Sequence, residues 1–273
     1  MIYKADLHTH STASDGQYTP AELAQLAKAR GVEVWALTDH DNLDGLDEAE
    51  AAGRALGLQV LRGIEFSADD YLNLHILGYG FSSTALRSWI ESLKGGRDDR
   101  KYRIWNFLRT KGIEVPLGEV DQEAAGGAVG RPHFARVMLQ HSYVATRKEA
   151  FDRYLDTPEF QEMEKGMKPS AQMCVERIKA AGGAASLAHP YQIVLSGESL
   201  EELVVRLKSY GLDAVECYYP QHTPEQMAEY LALAKKYGLH ITGGSDFHGE
   251  KNKPDNPLTP WELELSWLVE GRA

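Results

Sequence analysis

Cysteine is nearly absent: 273 residues contain only Cys174 and Cys217, and the two have no paired spacing. That scarcity argues against a disulfide framework and against a thiolate-rich structural zinc site. Both cysteines sit in apolar surroundings, which predicts buried thiols in a reducing compartment. Long hydrophobic runs are missing too; none approaches the ~20 residues that cross a bilayer. The opening residues lack the basic and apolar regions of a secretory leader, since Asp6, His8 and His10 fall where its apolar core would be. A cytoplasmic protein without membrane contact is expected. Positive charge is short as well: 29 Lys and Arg against 40 Asp and Glu give a formal net charge of −11. Such a balance disfavours a large nucleic-acid surface, yet leaves room for a local basic pocket that takes a small anion. No internal repeat or low-complexity segment is present.

The apolar runs that do occur are short and alternate with helical patterns. A strand over 2–10 is followed by a helix start signal: Thr19 as N-cap, Pro20 at the first helical position and Glu22 at the third. That helix runs to about Arg30. Strands follow over 32–37, 59–64 and 72–78, with a helix over 46–56. After residue 172 the order resumes, with strands over 184–188, 214–218 and 240–244 and helices over 171–181, 199–210 and 224–237. This spacing predicts an α/β fold with a parallel sheet or barrel of βα units. Residues 84–172 break the rhythm: helix-like segments at 86–111, 133–141 and 148–154 and no convincing strand. A helical insertion at 84–172 within a barrel made of 1–83 and 173–273 is the expected organisation. The run 95–101 is mixed in sign and reads as a solvated helix face; Trp105 and Phe107 read as core, or as flanks for a base.

Almost every strand ends in a residue that can bind metal. His8 and His10 alternate along one strand and face the same way, and Asp246 and His248 repeat the spacing near the other end. Between them come Asp39-His40, Glu65, His75 and His189. A core histidine with a backbone partner explains any one of these, but not one at nearly every strand end. A mixed His/carboxylate set suits manganese, zinc or iron. It exceeds what one structural zinc takes, so two or three ions sharing a carboxylate fit better, and such centres clamp phosphate esters.

The runs Asp6-Leu7-His8-Thr9-His10, Thr38-Asp39-His40-Asp41, Gly63-Ile64-Glu65, His75, Ala188-His189-Pro190 and Ser245-Asp246-Phe247-His248 resemble, in order, the motifs of the PHP (polymerase and histidinol phosphatase) superfamily. The resemblance implies a distorted (β/α)7 barrel with a two- or three-metal centre, manganese first among the candidates. It assigns His8, His10, Glu65 and Asp246 to one metal. Glu65 would bridge to a second completed by His75 and His189, and Asp15, His40 and His248 would hold a third.

Within the insertion, Gly130-Arg131-Pro132-His133-Phe134-Ala135-Arg136 resembles a segment of the PHP subgroup that acts on nucleotide phosphates. That subgroup removes the 3′-phosphate of nucleoside 3′,5′-bisphosphates or trims short RNA, and a related branch opens cyclic ribose phosphates. A metal-dependent phosphoesterase acting on a nucleotide or sugar phosphate is therefore expected. The alternatives are a cyclic ribose-phosphate phosphodiesterase, a histidinol-phosphate-type phosphatase and a non-catalytic metal-binding regulatory module. Arg131 can grip a phosphate bidentately and His133 adds a donor. Arg136 joins them as a substrate-side candidate, and His222, just after a strand end, is a candidate to contact substrate and protonate the leaving oxygen. An amidohydrolase reading is weaker, because no Lys ends a strand beside the other ligands.

Overall fold

The structure, a computed structural model, describes residues 1–124 and 129–269, apart from the side chains of 94–99. Most of the charged run at 95–101 lies outside the described side chains. In chain order the elements are β1 (Ile2–Asp6), α1 (Pro20–Ala29), β2 (Val34–Leu37), α2 (Leu46–Leu56), β3 (Gln59–Ser67) and β4 (His75–Tyr79). Among the described residues five α-helices follow: α3 (Ser83–Thr110), α4 (Leu117–Glu123), α5 (Arg131–Gln140), α6 (Arg147–Ala150), continued by a π-helical turn over Phe151–Leu155, and α7 (Pro158–Glu164). The chain then runs through α8 (Ala171–Ala180), β5 (Ala184–Leu187), α9 (Leu200–Tyr210), β6 (Ala214–Tyr218), α10 (Pro224–Tyr237), β7 (His240–Gly243), β8 (Trp261–Glu264) and α11 (Ser266–Val269).

The eight strands form one nearly closed sheet in the order β7-β6-β5-β4-β3-β2-β1-β8. Their alternation sorts the apolar residues onto two faces. Val34 and Ala36 face inward with Ala5, Leu77 and Ala184, while Trp35 and Leu37 face the surrounding helices. Leu265 and Leu268 join the inner cluster from the end where α11 sits. Full burial of such side chains contributes roughly 1.5–3 kcal/mol each. The helix signal at Thr19 operates as expected: Thr19 Oγ1 accepts from Glu22 N, and Glu22 Oε2 accepts from Thr19 N at 2.9 Å.

Three features depart from the sequence reading. First, β4 is antiparallel to both β3 and β5. The short β3–β4 connection makes a hairpin, which a parallel pair could not use. Reversal places the first residue of β4, His75, at the same end of the barrel as the last residues of its parallel neighbours. Second, β8 adds a strand the sequence did not announce, antiparallel to the start of β1. Third, regular β1 stops at Asp6, because residues 7–10 change partners. Leu7 N donates to Gly243 O (3.1 Å), His10 N to Phe247 O (2.9 Å) and Asp246 N to His8 O (2.7 Å). The extensions of β1 and β7 thus join at the upper end. Gly244 permits the approach, since a Cβ there would stand 2.3 Å from His8 Cβ.

The segment between β4 and α8 contains no strand among its described residues and has its own apolar cluster, which includes Ile104, Leu108, Phe134 and Phe160. Helix α3 ties it to the barrel: Leu86, Trp89 and Ile90 pack into the barrel core, with Trp89 5.0 Å from the ring of Phe66. The cysteines are buried and unpaired, and no described helix is long and apolar enough to cross a membrane.

Candidate metal centre

Backbone extension past β1 carries His8 and His10 on one side and Thr9 on the other. Thr9 Oγ1 donates to Ala36 O and accepts from Trp35 Nε1, both at 2.9 Å, which anchors the segment to β2. His8 and His10 therefore point together, fully buried. Glu65 projects from β3 between the imidazoles. Its Oε1 lies 2.8 Å from His75 Nδ1, 3.0 Å from His189 Nε2 and 3.3 Å from His8 Nε2. Its Oε2 lies 2.9 Å from His40 Nδ1 and 3.2 Å from His10 Nε2. One carboxylate thus turns its two oxygens to two sets of imidazoles. Asp246 Oδ1 stands 3.3 Å from His10 Nε2, and Asp15 Oδ1 stands 3.2 Å from His248 Nε2.

All nine residues singled out as ligands in the sequence come together, in four overlapping groups whose ligand atoms lie within 4.8 Å of one another. Donor chemistry and orphaned atoms both fit a metal. His8 Nε2, both nitrogens of His10, His40 Nδ1, Glu65 Oε2 and His189 Nδ1 are buried without an aligned hydrogen-bond partner. Leaving so many buried polar atoms unsatisfied is costly, and a bound cation would satisfy several at once. Burial pushes the Glu65 carboxyl up, but His40, His75 and His8 outweigh it and hold Glu65 well below the usual range. Backbone strain marks the same place. His189 and Asp246 adopt positive φ of 22° and 51°, a conformation that neighbouring groups must hold against its cost.

Glu216 on β6 supplies part of that hold and was not among the expected site residues. Fully buried, it takes His8 Nδ1 at 3.0 Å and the His189 backbone N–H at 2.7 Å. A carboxylate behind a ligating imidazole fixes its tautomer and orientation. The signal was present in Ala214-Val215-Glu216, an acid inside an apolar strand. Glu216→Gln should weaken metal binding roughly 10–100-fold, the usual cost of losing such a partner. A metal titration checks this, and unchanged affinity would remove Glu216 from the site. Asp39 is a partner of loops rather than a ligand, since its oxygens accept Ser11 N (2.7 Å), Ser11 Oγ and Ser14 Oγ (both 2.6 Å).

The model of the PHP domain matches residues 6–159, more than half of the chain. The chain belongs to the PHP domain family. A 5'-3' exoribonuclease of Haemophilus influenzae is 37% identical over 253 residues, 91% of each protein. A 3',5'-nucleoside bisphosphate phosphatase of Chromobacterium violaceum is 32% identical over 89% of this chain and 86% of its own. Among solved structures, one from Chromobacterium violaceum described as an amidohydrolase with bound sulfate and no metal superposes with a TM-score of 0.87 at 29% identity, covering 98% of this chain and 96% of that one. A Bifidobacterium adolescentis protein described as a metal-dependent phosphoesterase reaches 0.79 at 28% identity, over 98% and 94%. This PHP protein is a metal-dependent phosphoesterase, with a His/Asp/Glu cluster able to hold the metal.

A cavity opens beside the PHP cluster. Asp15, His40 and His75 line one end, and Arg131, His133 and Phe151 line the insertion side. Arg131 donates to Asp156 Oδ1 at 2.5 Å and to Asn73 Oδ1 at 3.0 Å. His133 is buried and burial pushes it down to about 4, so it is neutral. Its Nδ1 accepts from Gly130 N at 2.9 Å, which assigns the proton to Nε2. The remaining two expectations need correction. Arg136 lies outside the cavity lining; its Nε pairs with Glu123 at 2.7 Å, an ion pair inside the insertion. His222 also lies outside, behind Tyr219 and among the rings of Tyr191 and Tyr230. Its Nδ1 donates to Cys217 O at 3.0 Å, and burial lowers its pKa, so Nε2 carries no proton to give. Neither could be placed by sequence: a strand-end position says nothing of which way the loop carrying His222 turns, and a helical pattern does not say which neighbour the Arg136 face of α5 meets. Trp105 and Phe107 are core, and Phe151 is the aromatic at the cavity.

Proposed function

We propose that this phosphoesterase removes the 3′-phosphate from nucleoside 3′,5′-bisphosphates and trims short RNA ends, using two or three divalent ions, manganese first. His8, His10, Asp15, His40, Glu65, His75, His189, Asp246 and His248 would hold them, with the two oxygens of Glu65 offered to both sets of imidazoles. The observation that carries the reading is one cavity with a ligand cluster at one end and Arg131, His133 and an aromatic ring on the other side. A phosphate beside a sugar and a base needs that combination of charge and apolar wall. When bound, the cations neutralise phosphoryl charge and acidify the attacking water. The chain's own residues then position and select. Arg131 meets phosphoryl oxygens with the N–H groups that Asp156 and Asn73 leave over. His133 donates from Nε2, a buried atom without a protein partner, to a phosphoryl or leaving oxygen. Residues 84–172 act as a lid that sets substrate choice over a barrel that supplies chemistry.

Phosphate release from a nucleoside 3′,5′-bisphosphate, a short RNA, a cyclic ribose phosphate and histidinol phosphate, with manganese present, tests the reading. The bisphosphate or the RNA should be turned over fastest; a preference for either of the others would refute it. In the same assay Arg131→Ala should lower kcat/KM by roughly 10–100-fold, the scale of a lost charge-assisted contact worth ~1.5–3 kcal/mol. Metal content should stay normal, and a parallel loss of metal would point to a folding role for Arg131.

A further inference from the structure

The Asp246 carboxylate has a second side. Its Oδ1 faces the cluster, 3.3 Å from His10 Nε2 and 3.6 Å from His8 Nε2. Its Oδ2 takes two other donors, the Tyr219 hydroxyl at 2.8 Å and Lys253 Nζ. Neither donor lines the cavity beside Arg131, and neither was among the expected site residues.

Tyr219 follows β6 and is fully buried. Asn256 Nδ2 and Gln192 Nε2 both donate to its hydroxyl at 2.8 Å, so its own proton is committed to Asp246. Asn256 Nδ2 also meets Ser245 O at 2.8 Å, which ties this hydroxyl to the backbone beside Asp246. Lys253 comes from the loop after His248, where its backbone N donates to Gly249 O at 2.9 Å. Its ammonium stands over the Tyr219 ring, 5.8 Å from the centre. The side chain is 28% exposed and borders a small crevice with Arg30 and Glu250. Glu250 is engaged by the Tyr18 hydroxyl at 2.8 Å, whereas Asp246 is the carboxylate that Lys253 pairs with. The charge of Lys253 also reaches Glu65.

The two donors differ in effect. A neutral hydroxyl fixes where the carboxylate points and leaves its other oxygen for a metal. An ammonium adds a full positive charge to a centre whose nine candidate ligands include only the carboxylates of Asp15, Glu65 and Asp246. Like charges repel, so the ammonium does not strengthen cation binding. It makes the centre a better host for an anion and for negative charge that develops on phosphoryl oxygens. In the metal-free protein it balances Asp246, which is only 3% exposed and costly to bury unpaired.

We propose that Tyr219 and Lys253 are positioning residues that act through Asp246. The hydroxyl confines Asp246 to ligation through Oδ1, and the ammonium raises the positive charge that the centre presents to an anionic substrate. The assignment rests on the reading of Asp246 as a metal ligand.

The test compares variants by manganese titration of the metal-free protein, thermal unfolding with and without the ion, and hydrolysis of p-nitrophenyl phosphate at saturating manganese. Tyr219→Phe changes no charge and should weaken manganese binding roughly 10–100-fold, the usual cost of losing a partner of a ligand. Lys253→Met should bind manganese at least as tightly as the wild type, yet lower kcat roughly 10-fold, less than the loss of a direct contact to the reacting group. It should also lower the unfolding temperature of the metal-free protein more than that of the loaded protein, because the ion then balances Asp246. Lys253→Arg keeps the charge and should restore kcat. Weaker manganese binding in Lys253→Met, or an unchanged kcat, makes Lys253 a structural anchor and overturns its assignment. Unchanged binding in Tyr219→Phe overturns the role of the hydroxyl. Asp246→Asn separates these failures from that of the metal reading: if it leaves manganese binding intact, Asp246 is no ligand and that reading falls.

Discussion

Glu65→Gln should abolish phosphate release and cost the protein an ion or more per chain. Five imidazoles surround this carboxylate within 3.3 Å. An amide of the same shape supplies one oxygen instead of two and turns an NH2 toward groups arranged for a cation. Removing an outer partner of a metal ligand typically costs roughly 10–100-fold, and losing the residue shared by both imidazole sets must exceed that. Metal analysis by mass spectrometry, beside phosphate release at saturating manganese, reads both effects. Full turnover with unchanged metal content would mean that the cluster around Glu65 is not the catalytic centre. The substitution leaves the fold testable, because Gln fills the same volume and the barrel core above and below it is apolar.

Replacing residues 94–167 with a short linker should leave a barrel that binds metal and slowly hydrolyses a generic ester such as p-nitrophenyl phosphate. Its discrimination among nucleotide substrates should collapse. None of the nine candidate ligands falls in the deleted segment, whereas Arg100, Arg131, His133 and Phe151 all do. The first turns of α3 stay, since Leu86, Trp89 and Ile90 complete the barrel core; the second apolar cluster leaves as a unit. Circular dichroism first establishes that the shortened chain folds. A folded barrel that bound no metal, or kept the same substrate preference, would refute the division of labour between lid and barrel.

Much of the centre was legible because ligand chemistry is local. His8 and His10 share a face through the period of an extended chain, whether or not the segment is a regular strand, so the early end of β1 did not disturb the inference. Glu65 and His189 were legible because parallel strands deliver their ends to one place. His75 reached the same place for a different reason. It opens an antiparallel strand, and only the hairpin between β3 and β4 brings its first residue to that end. Direction of a strand is not written in its residues; it depends on which partner the chain meets across the sheet.

Tertiary structure alone decided the rest. Glu216 reads as one acid in an apolar strand until the fold sets it against His8 and the His189 backbone. His222 and Arg136 carry the right chemistry for a substrate site, yet their hydrogen bonds to Cys217 and Glu123 place them elsewhere. Lys168 and Arg100 are separated by the length of the insertion and share Glu164 only once its helices pack. The sequence by itself determined the metal-competent cluster, because most strand ends present a candidate ligand of their own. The wall that faces the substrate came from contacts between distant segments, which no local pattern encodes.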